Sequence, residues 1–177
     1  MALPEQVCEK CLCYSLHDQP GWFRCPGCGF MWKGIKSMIS LQELLGDTKY
    51  EDLSQELKDN AEELLKRVNL FRAKYGIPMY VNSGYRNPEH NASIGGAKNS
   101  SHCMCQAIDF KDNDGKLFEY IKANPNILEE CDLYVEDPRW TASWIHLQSR
   151  KIASGNRVFL PYSDGRPATA PEREIKL

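Results

Sequence analysis

Ser100-Ser101-His102-Cys103-Met104-Cys105-Gln106-Ala107-Ile108-Asp109 sets a histidine and an aspartate seven positions apart, and Trp144-Ile145-His146 carries a second histidine in a short apolar run. Two imidazoles and one carboxylate can supply three N/O ligands to a single zinc ion. Three protein ligands leave a fourth position for water, which is the catalytic arrangement, whereas structural zinc is closed by four protein ligands. The chemistry expected is hydrolysis. Zinc lowers the pKa of a bound water toward neutrality and makes a nucleophile without a covalent intermediate. Such a reaction also needs a carboxylate that takes the water's proton and passes it to the leaving amine. Glu136, ending Asp132-Leu133-Tyr134-Val135-Glu136, is the candidate. Strand alternation would place Asp132, Tyr134 and Glu136 on one face. On spacing alone, a glutamate at a strand end reads as a surface residue.

A second set of ligand types lies near the amino terminus. Cys8-x-x-Cys11 and Cys25-x-x-Cys28 are separated by thirteen residues. Each pair can grip zinc through two thiolates on a tight knuckle, and two knuckles close a tetrahedral structural site. Pro26-Gly27 and Gly29 suit such a turn, and Trp22, Phe23, Phe30 and Trp32 could form the small core it needs. The competing reading is four unconnected thiols. Cys13 and His17 are spare ligands that could replace one of the four.

The elements that must position these residues are legible as a compact α+β domain. Ser40-Leu41-Gln42-Glu43 is a capping box that predicts a short helix ending near Gly46. Leu57, Ala61, Leu64, Val68 and Phe71 recur at helical spacing, which predicts a longer helix over 53–75 with a core-facing stripe, stopped by Gly76. Strands are expected over 78–84, 106–110, 132–136 and 144–148, with an edge strand over 157–160 and a helix over 116–123. The Asn/Gly/Ser-rich stretch 87–99 reads as a long surface loop, in which His90 faces solvent or substrate. Cys103 and Cys105 read as packing residues sharing one face of a strand. Trp140 and Trp144 could stack on a glycan or peptide, or pack in the core.

Composition narrows the class. The chain has 177 residues, 42% hydrophobic and 26% charged, which suits one ordinary domain with a small appendage. A net charge of -2 gives little help to nucleic acid or an anionic membrane surface, so no nucleic-acid partner is expected. No apolar run approaches a transmembrane span. Residues 1–7 lack the basic and apolar regions of a secretory signal. Eight cysteines with Cys-x-x-Cys spacing, in a chain made in the cytoplasm, favour metal over disulfides.

Ser100-x-His102 with Asp109, the later Trp144-Ile145-His146, the upstream Ser83-Gly84-Tyr85-Arg86 and the strand Leu133-Tyr134-Val135-Glu136 together resemble the zinc D-alanyl-D-alanine carboxypeptidase family (peptidase M15). That family shares its fold with the signalling domain of hedgehog proteins. The four segments agree in order over roughly residues 38–161, in the style of phage and prophage members. The resemblance implies an antiparallel sheet with flanking helices in residues 37–177, preceded by a zinc ribbon in 1–36. It implies His102, Asp109 and His146 as ligands of a catalytic zinc and Glu136 as general base, then acid. Arg86 would hold a substrate carbonyl or carboxylate, and Ser100 would support the ligand turn and touch substrate. Cys8, Cys11, Cys25 and Cys28 would hold the second, structural zinc.

The substrate implied is the peptide stem of bacterial peptidoglycan, cut as a carboxypeptidase or endopeptidase. The setting implied is a phage lysis enzyme or virion-associated enzyme. It would be made in the host cytoplasm without a signal peptide and act at the wall after release or as part of a virion, with virion proteins as partners of the ribbon. The alternative is a non-catalytic zinc-binding structural or wall-binding module of a virion, since a fold does not fix a function. A further rival makes the ribbon the main functional part, with nucleic acid or protein as its partner. Two departures stand out. Many relatives have glycine at the position of Cys105. Some place an acid three residues before the second histidine, where this chain has Ser143.

Overall fold

The computed structural model describes residues 38–160 other than Arg139 and Ala142, together with the backbone of three short strands nearer the amino terminus. The chain divides into two compact units, one of Met1–Met38 with Gly76–Pro78 and one of Ile39–Tyr75 with Met79–Leu177. In the first unit, β1 (Leu16–Gln19), β2 (Trp22–Arg24) and β3 (Met31–Lys33) pair antiparallel in that order. The four expected zinc cysteines, Cys8, Cys11, Cys25 and Cys28, lie outside the described residues.

The second unit opens on α1 (Leu41–Leu45). The Ser40 hydroxyl accepts from the Glu43 N–H while the Glu43 carboxylate accepts from the Ser40 N–H, so the capping box is complete. Gly46, at φ 59°, ends the helix. The long helix α2 spans Gln55–Tyr75 and stops at Gly76, φ 73°. It starts two residues later than expected, because Tyr50–Asp52 forms a 3-10 turn whose closing residue Leu53 is extended. Ala61, Leu64, Val68 and Phe71 are fully buried on its expected face. Burying a side chain of the Leu or Phe kind contributes about 1.5–3 kcal/mol, so this stripe is a principal anchor of the unit.

The sheet that α2 covers has five strands: β4 (Val81–Ser83), β5 (Ala107–Lys111), β6 (Tyr134–Glu136), β7 (Trp144–Gln148) and β8 (Val158–Phe159). Their order is β4-β5-β7-β6-β8. All neighbours are antiparallel except β6 and β8, which run parallel, so the expected antiparallel sheet carries one parallel edge. Ile108, Phe110, Val135, Ile145 and Leu147 join the α2 stripe in one core. Alternation then turns Asp109, Glu136, His146 and Gln148 to the opposite face. α4 (Lys116–Ala123) and the unforeseen α5 (Ile127–Glu130) complete the unit. No helix among the described residues is long and apolar enough to cross a membrane.

Three expectations need correction. Residues 87–99 are not all loop: α3 (Pro88–Ser93) forms because the Asn87 side chain accepts from the His90 N–H at 2.8 Å and Pro88 sits in the first turn, where its missing N–H costs nothing. Cys103 and Cys105 do not share a strand face. Ser101–Met104 is a 3-10 turn, and Cys105 ends it in the left-handed region at φ 54°. Asp132 is not on the strand face of Glu136. It has φ 48° and precedes β6, held by Arg67 and Arg157.

Candidate metal centre

The three ligand candidates come from three elements. Asp109 lies on β5 and His146 on β7, directly opposite each other in the antiparallel register. His102 lies in the 3-10 turn before β5, where the Ser100 hydroxyl accepts from the His102 N–H at 3.3 Å and caps the turn. All three are buried. His146 Nδ1 is 2.8 Å from Asp109 Oδ1 and 3.2 Å from His102 Nε2, and His102 Nε2 is 3.3 Å from Asp109 Oδ1. Three lone-pair atoms thus close a triangle, and they form the His/Cys/Asp/Glu group that could hold a metal among the described residues. Zinc bound at about 2.0–2.1 Å to nitrogen or oxygen sets tetrahedral donors roughly 3.3 Å apart, so the triangle fits that ion with little rearrangement.

The far side of each ligand is occupied as a metal site requires. His102 Nδ1–H donates to the Gly84 carbonyl at 2.7 Å, which leaves Nε2 with its lone pair toward the centre. His146 Nε2–H donates to Gln148 Oε1 at 3.3 Å, which does the same for Nδ1. Asp109 Oδ2 accepts from Arg86 Nη2 at 2.8 Å, and Arg86 Nε donates to Ser83 Oγ at 2.9 Å. Arg86, expected to hold substrate, therefore grips a ligand carboxylate. Gly84 is fixed by contact: a Cβ there would lie 2.0 Å from the Leu44 carbonyl oxygen, and the neighbouring Tyr85 N–H donates to that same oxygen at 2.7 Å.

The charges respond to this crowding. Burial pushes the Asp109 carboxyl upward, but hydrogen bonds from His102 and His146 outweigh it and hold the group well below the usual carboxylate range. The imidazoles share that carboxylate yet move oppositely. Burial carries His102 down, against a 3.3 Å contact with Asp109. Burial acts on His146 in the same sense, but its shorter 2.8 Å contact with Asp109 prevails and raises it. Glu136 is raised, first by burial and further by the charges of Asp109 and Asp137, while His146 and Arg86 pull it back. It therefore sits in the field of the centre as a carboxyl poised to exchange a proton.

The other candidates are placed as follows. Phe159 on β8 pairs with Glu136 in register and presents its ring edge-on to His146, centroids 6.0 Å apart. His90 is exposed on α3, and Trp140 and Trp144 are half-buried. Cys105 is fully buried, and burial pushes its thiol up to about 12, so it packs as a neutral group. Sequence reasoning missed the supporting residues Ser83, Gly84, Ser101 and Gln148. Only Gln148 carried a usable signal: it lies two residues after His146 and so shares its strand face.

No curated protein matches this chain. The family model for peptidase M15 matches residues 39–147, which include His102, Asp109, Glu136 and His146. That span covers more than half of the sequence and holds the whole triangle, and the chain belongs to the peptidase M15 family, whose members are zinc-dependent peptidases.

Proposed function

We propose that this chain hydrolyses peptide bonds in the stem peptides of bacterial peptidoglycan, with His102, Asp109 and His146 holding a catalytic zinc ion. The observation that carries the reading is the 2.8–3.3 Å triangle of His102 Nε2, Asp109 Oδ1 and His146 Nδ1 in a family of zinc peptidases. A zinc ion held there supplies a water of lowered pKa and a Lewis acid for the scissile carbonyl. Glu136 takes the proton of the attacking water and returns it to the departing amine. Arg86 orients Asp109 and lends positive charge where the oxyanion develops. Ser100 caps the ligand turn and lies beside the entering substrate. The same groups serve a terminal D-amino acid or an internal stem bond, and the masses of fragments released from defined muropeptides read which bond is cut.

The finer setting rests on the resemblance to phage and prophage peptidases. In this reading the chain is a lysis or virion-associated enzyme, made in the host cytoplasm and acting at the wall. Residues 37–177 form the peptidase domain. Residues 1–36 form a ribbon in which Cys8, Cys11, Cys25 and Cys28 hold a structural zinc, and which docks virion proteins.

Purified peptidoglycan is the test. The wild type should solubilise it, and Glu136→Gln should bind zinc and wall equally well while releasing no fragments. Wild-type release by Glu136→Gln removes Glu136 from the mechanism. Binding without turnover by the wild type leaves only a wall-binding module. Metal counting should give two zinc ions per chain, falling to one in His102→Ala.

A further inference from the structure

Gln148 is buried, and every polar atom of its side chain is engaged. Its Nε2 donates to the Arg150 carbonyl at 2.8 Å. That bond fixes the amide orientation, because a carbonyl can only accept. Oε1 must then be the atom facing the site, where it accepts from Ser101 Oγ at 3.1 Å and lies 3.3 Å from His146 Nε2. An amide oxygen cannot donate, so His146 carries its proton on Nε2. The lone pair of Nδ1 is left for the centre, toward Asp109 Oδ1 and His102 Nε2.

We infer that Gln148 is a positioning residue that selects the metal-binding tautomer of His146 and fixes the ring against the His102 turn. The inference rests on the metal centre proposed above and adds a residue to it. Ser101 precedes His102, and Gln148 follows His146 by two, so one amide joins both histidine-bearing segments on the side away from the centre. Arg150 extends the tie, donating from Nη1 to the Asn99 carbonyl at 2.8 Å, just ahead of the ligand turn. Partners of this kind typically govern metal affinity by 10–100-fold.

Two variants of the full chain separate this role from packing. Gln148→Met keeps the volume and removes the acceptor. Gln148→Glu keeps the acceptor and removes the donor to Arg150. Zinc affinity is read by chelator competition, as the class of sites that His102→Ala abolishes. The proton on His146 Nε2 is read by nitrogen and proton NMR on the zinc-loaded chain. Gln148→Met should bind zinc about 10–100-fold more weakly and lose the slowly exchanging Nε2–H signal. Gln148→Glu should recover most of the affinity and keep the signal. Equal affinity in wild type and Gln148→Met, or a Gln148→Glu no better than Gln148→Met, overturns the inference. So does a zinc-loaded wild type whose His146 binds metal through Nε2, a result independent of how the variants fold. A wild type with no His102-dependent zinc overturns the metal centre itself, and this inference with it.

Discussion

Asp109 and His146 are cross-strand partners, and their facing atoms, Oδ1 and Nδ1, are 2.8 Å apart. Two of the three candidate ligands are therefore set by sheet register rather than by loops. A slip of one residue would turn Asp109 into the core and Ile108 or Phe110 out of it, a change the buried apolar face forbids. Only His102 depends on local turn chemistry, and Ser100, Gly84 and the left-handed Cys105 supply it.

Zinc should stabilise the folded chain measurably through this triangle. A ligand that binds only the native state adds about 2.7 kcal/mol at one hundred times its Kd. For a chain of this size that is a rise on the order of 5–10 °C in Tm. His102→Ala should forfeit that increment, leaving whatever shift other zinc sites provide. Thermal unfolding with and without added zinc checks it. An undiminished shift in His102→Ala would remove the triangle as the binding site.

Glu136 makes a pH prediction in two parts. As a base it works ionised, and burial raises its pKa, so kcat/KM should begin to fall on the acid side above the ordinary glutamate value of about 4.3. Glu136→Gln should reduce turnover by roughly 10²–10⁴ and abolish that limb. The same shift has a sign in stability. A raised folded-state pKa contributes stability below the unfolded value, and this is lost as pH rises through the folded value. At pH 8 Glu136→Gln should therefore be no less stable than the wild type in urea, whereas a residue retained for structure would cost stability there.

Gly84→Ala should damage fold and centre together. The added methyl would sit 2.0 Å from the Leu44 carbonyl oxygen, which is backbone and cannot swing aside. Overpacking of this kind costs about 1–3 kcal/mol. The segment that moves also carries the carbonyl accepting from His102 Nδ1. Urea midpoint and zinc affinity should fall in the same variant. A loss of stability with unchanged affinity would show that the Gly84 carbonyl does not orient His102.

Much of this was legible because it follows period and spacing. The stripe Ala61, Leu64, Val68 and Phe71 announced α2, the Ser40–Glu43 box announced α1, and alternation around His146 announced β7. His102, Asp109 and His146 were nameable from residue type, and the register then brought them together. The failures were local contests. In residues 87–99 composition suggested loop, but an Asn87 cap and Pro88 sufficed to nucleate a short helix. At Cys105 a residue that disfavours positive φ adopts it, because the turn must deliver His102 and then enter β5. Supporting contacts such as Gly84 to His102 join residues eighteen apart through a carbonyl, and no side-chain pattern encodes a carbonyl.

Asp132 offers a last test, at the edge that carries Glu136. Its backbone is left-handed, and its carboxylate takes Arg157 Nη1 on Oδ1 and Arg67 Nη1 on Oδ2, each at 2.8 Å. Arg157 also lies over the Tyr134 ring at 4.6 Å, and its backbone carbonyl accepts from the Val135 N–H at 2.8 Å, so the cluster ties β8 to β6. The Arg157 hydrogen bond is the main cause that lowers the Asp132 pKa, against a smaller upward push from burial. A lowered folded-state pKa gives stability that is present above the unfolded value near 3.9 and is lost as pH falls through the folded one. The side chain is 44% exposed, so solvent screening keeps the gain below about 1 kcal/mol. Asparagine tolerates the left-handed backbone, which makes Asp132→Asn a clean removal of charge. Its deficit in urea should be small at pH 7 and shrink toward zero as the pH drops below 3. Arg157→Ala should cost more than Asp132→Asn at every pH, because the stacking on Tyr134 carries no proton to lose. A deficit for Asp132→Asn that stays constant down to pH 2 would mean that the carboxylate charge contributes nothing to this edge.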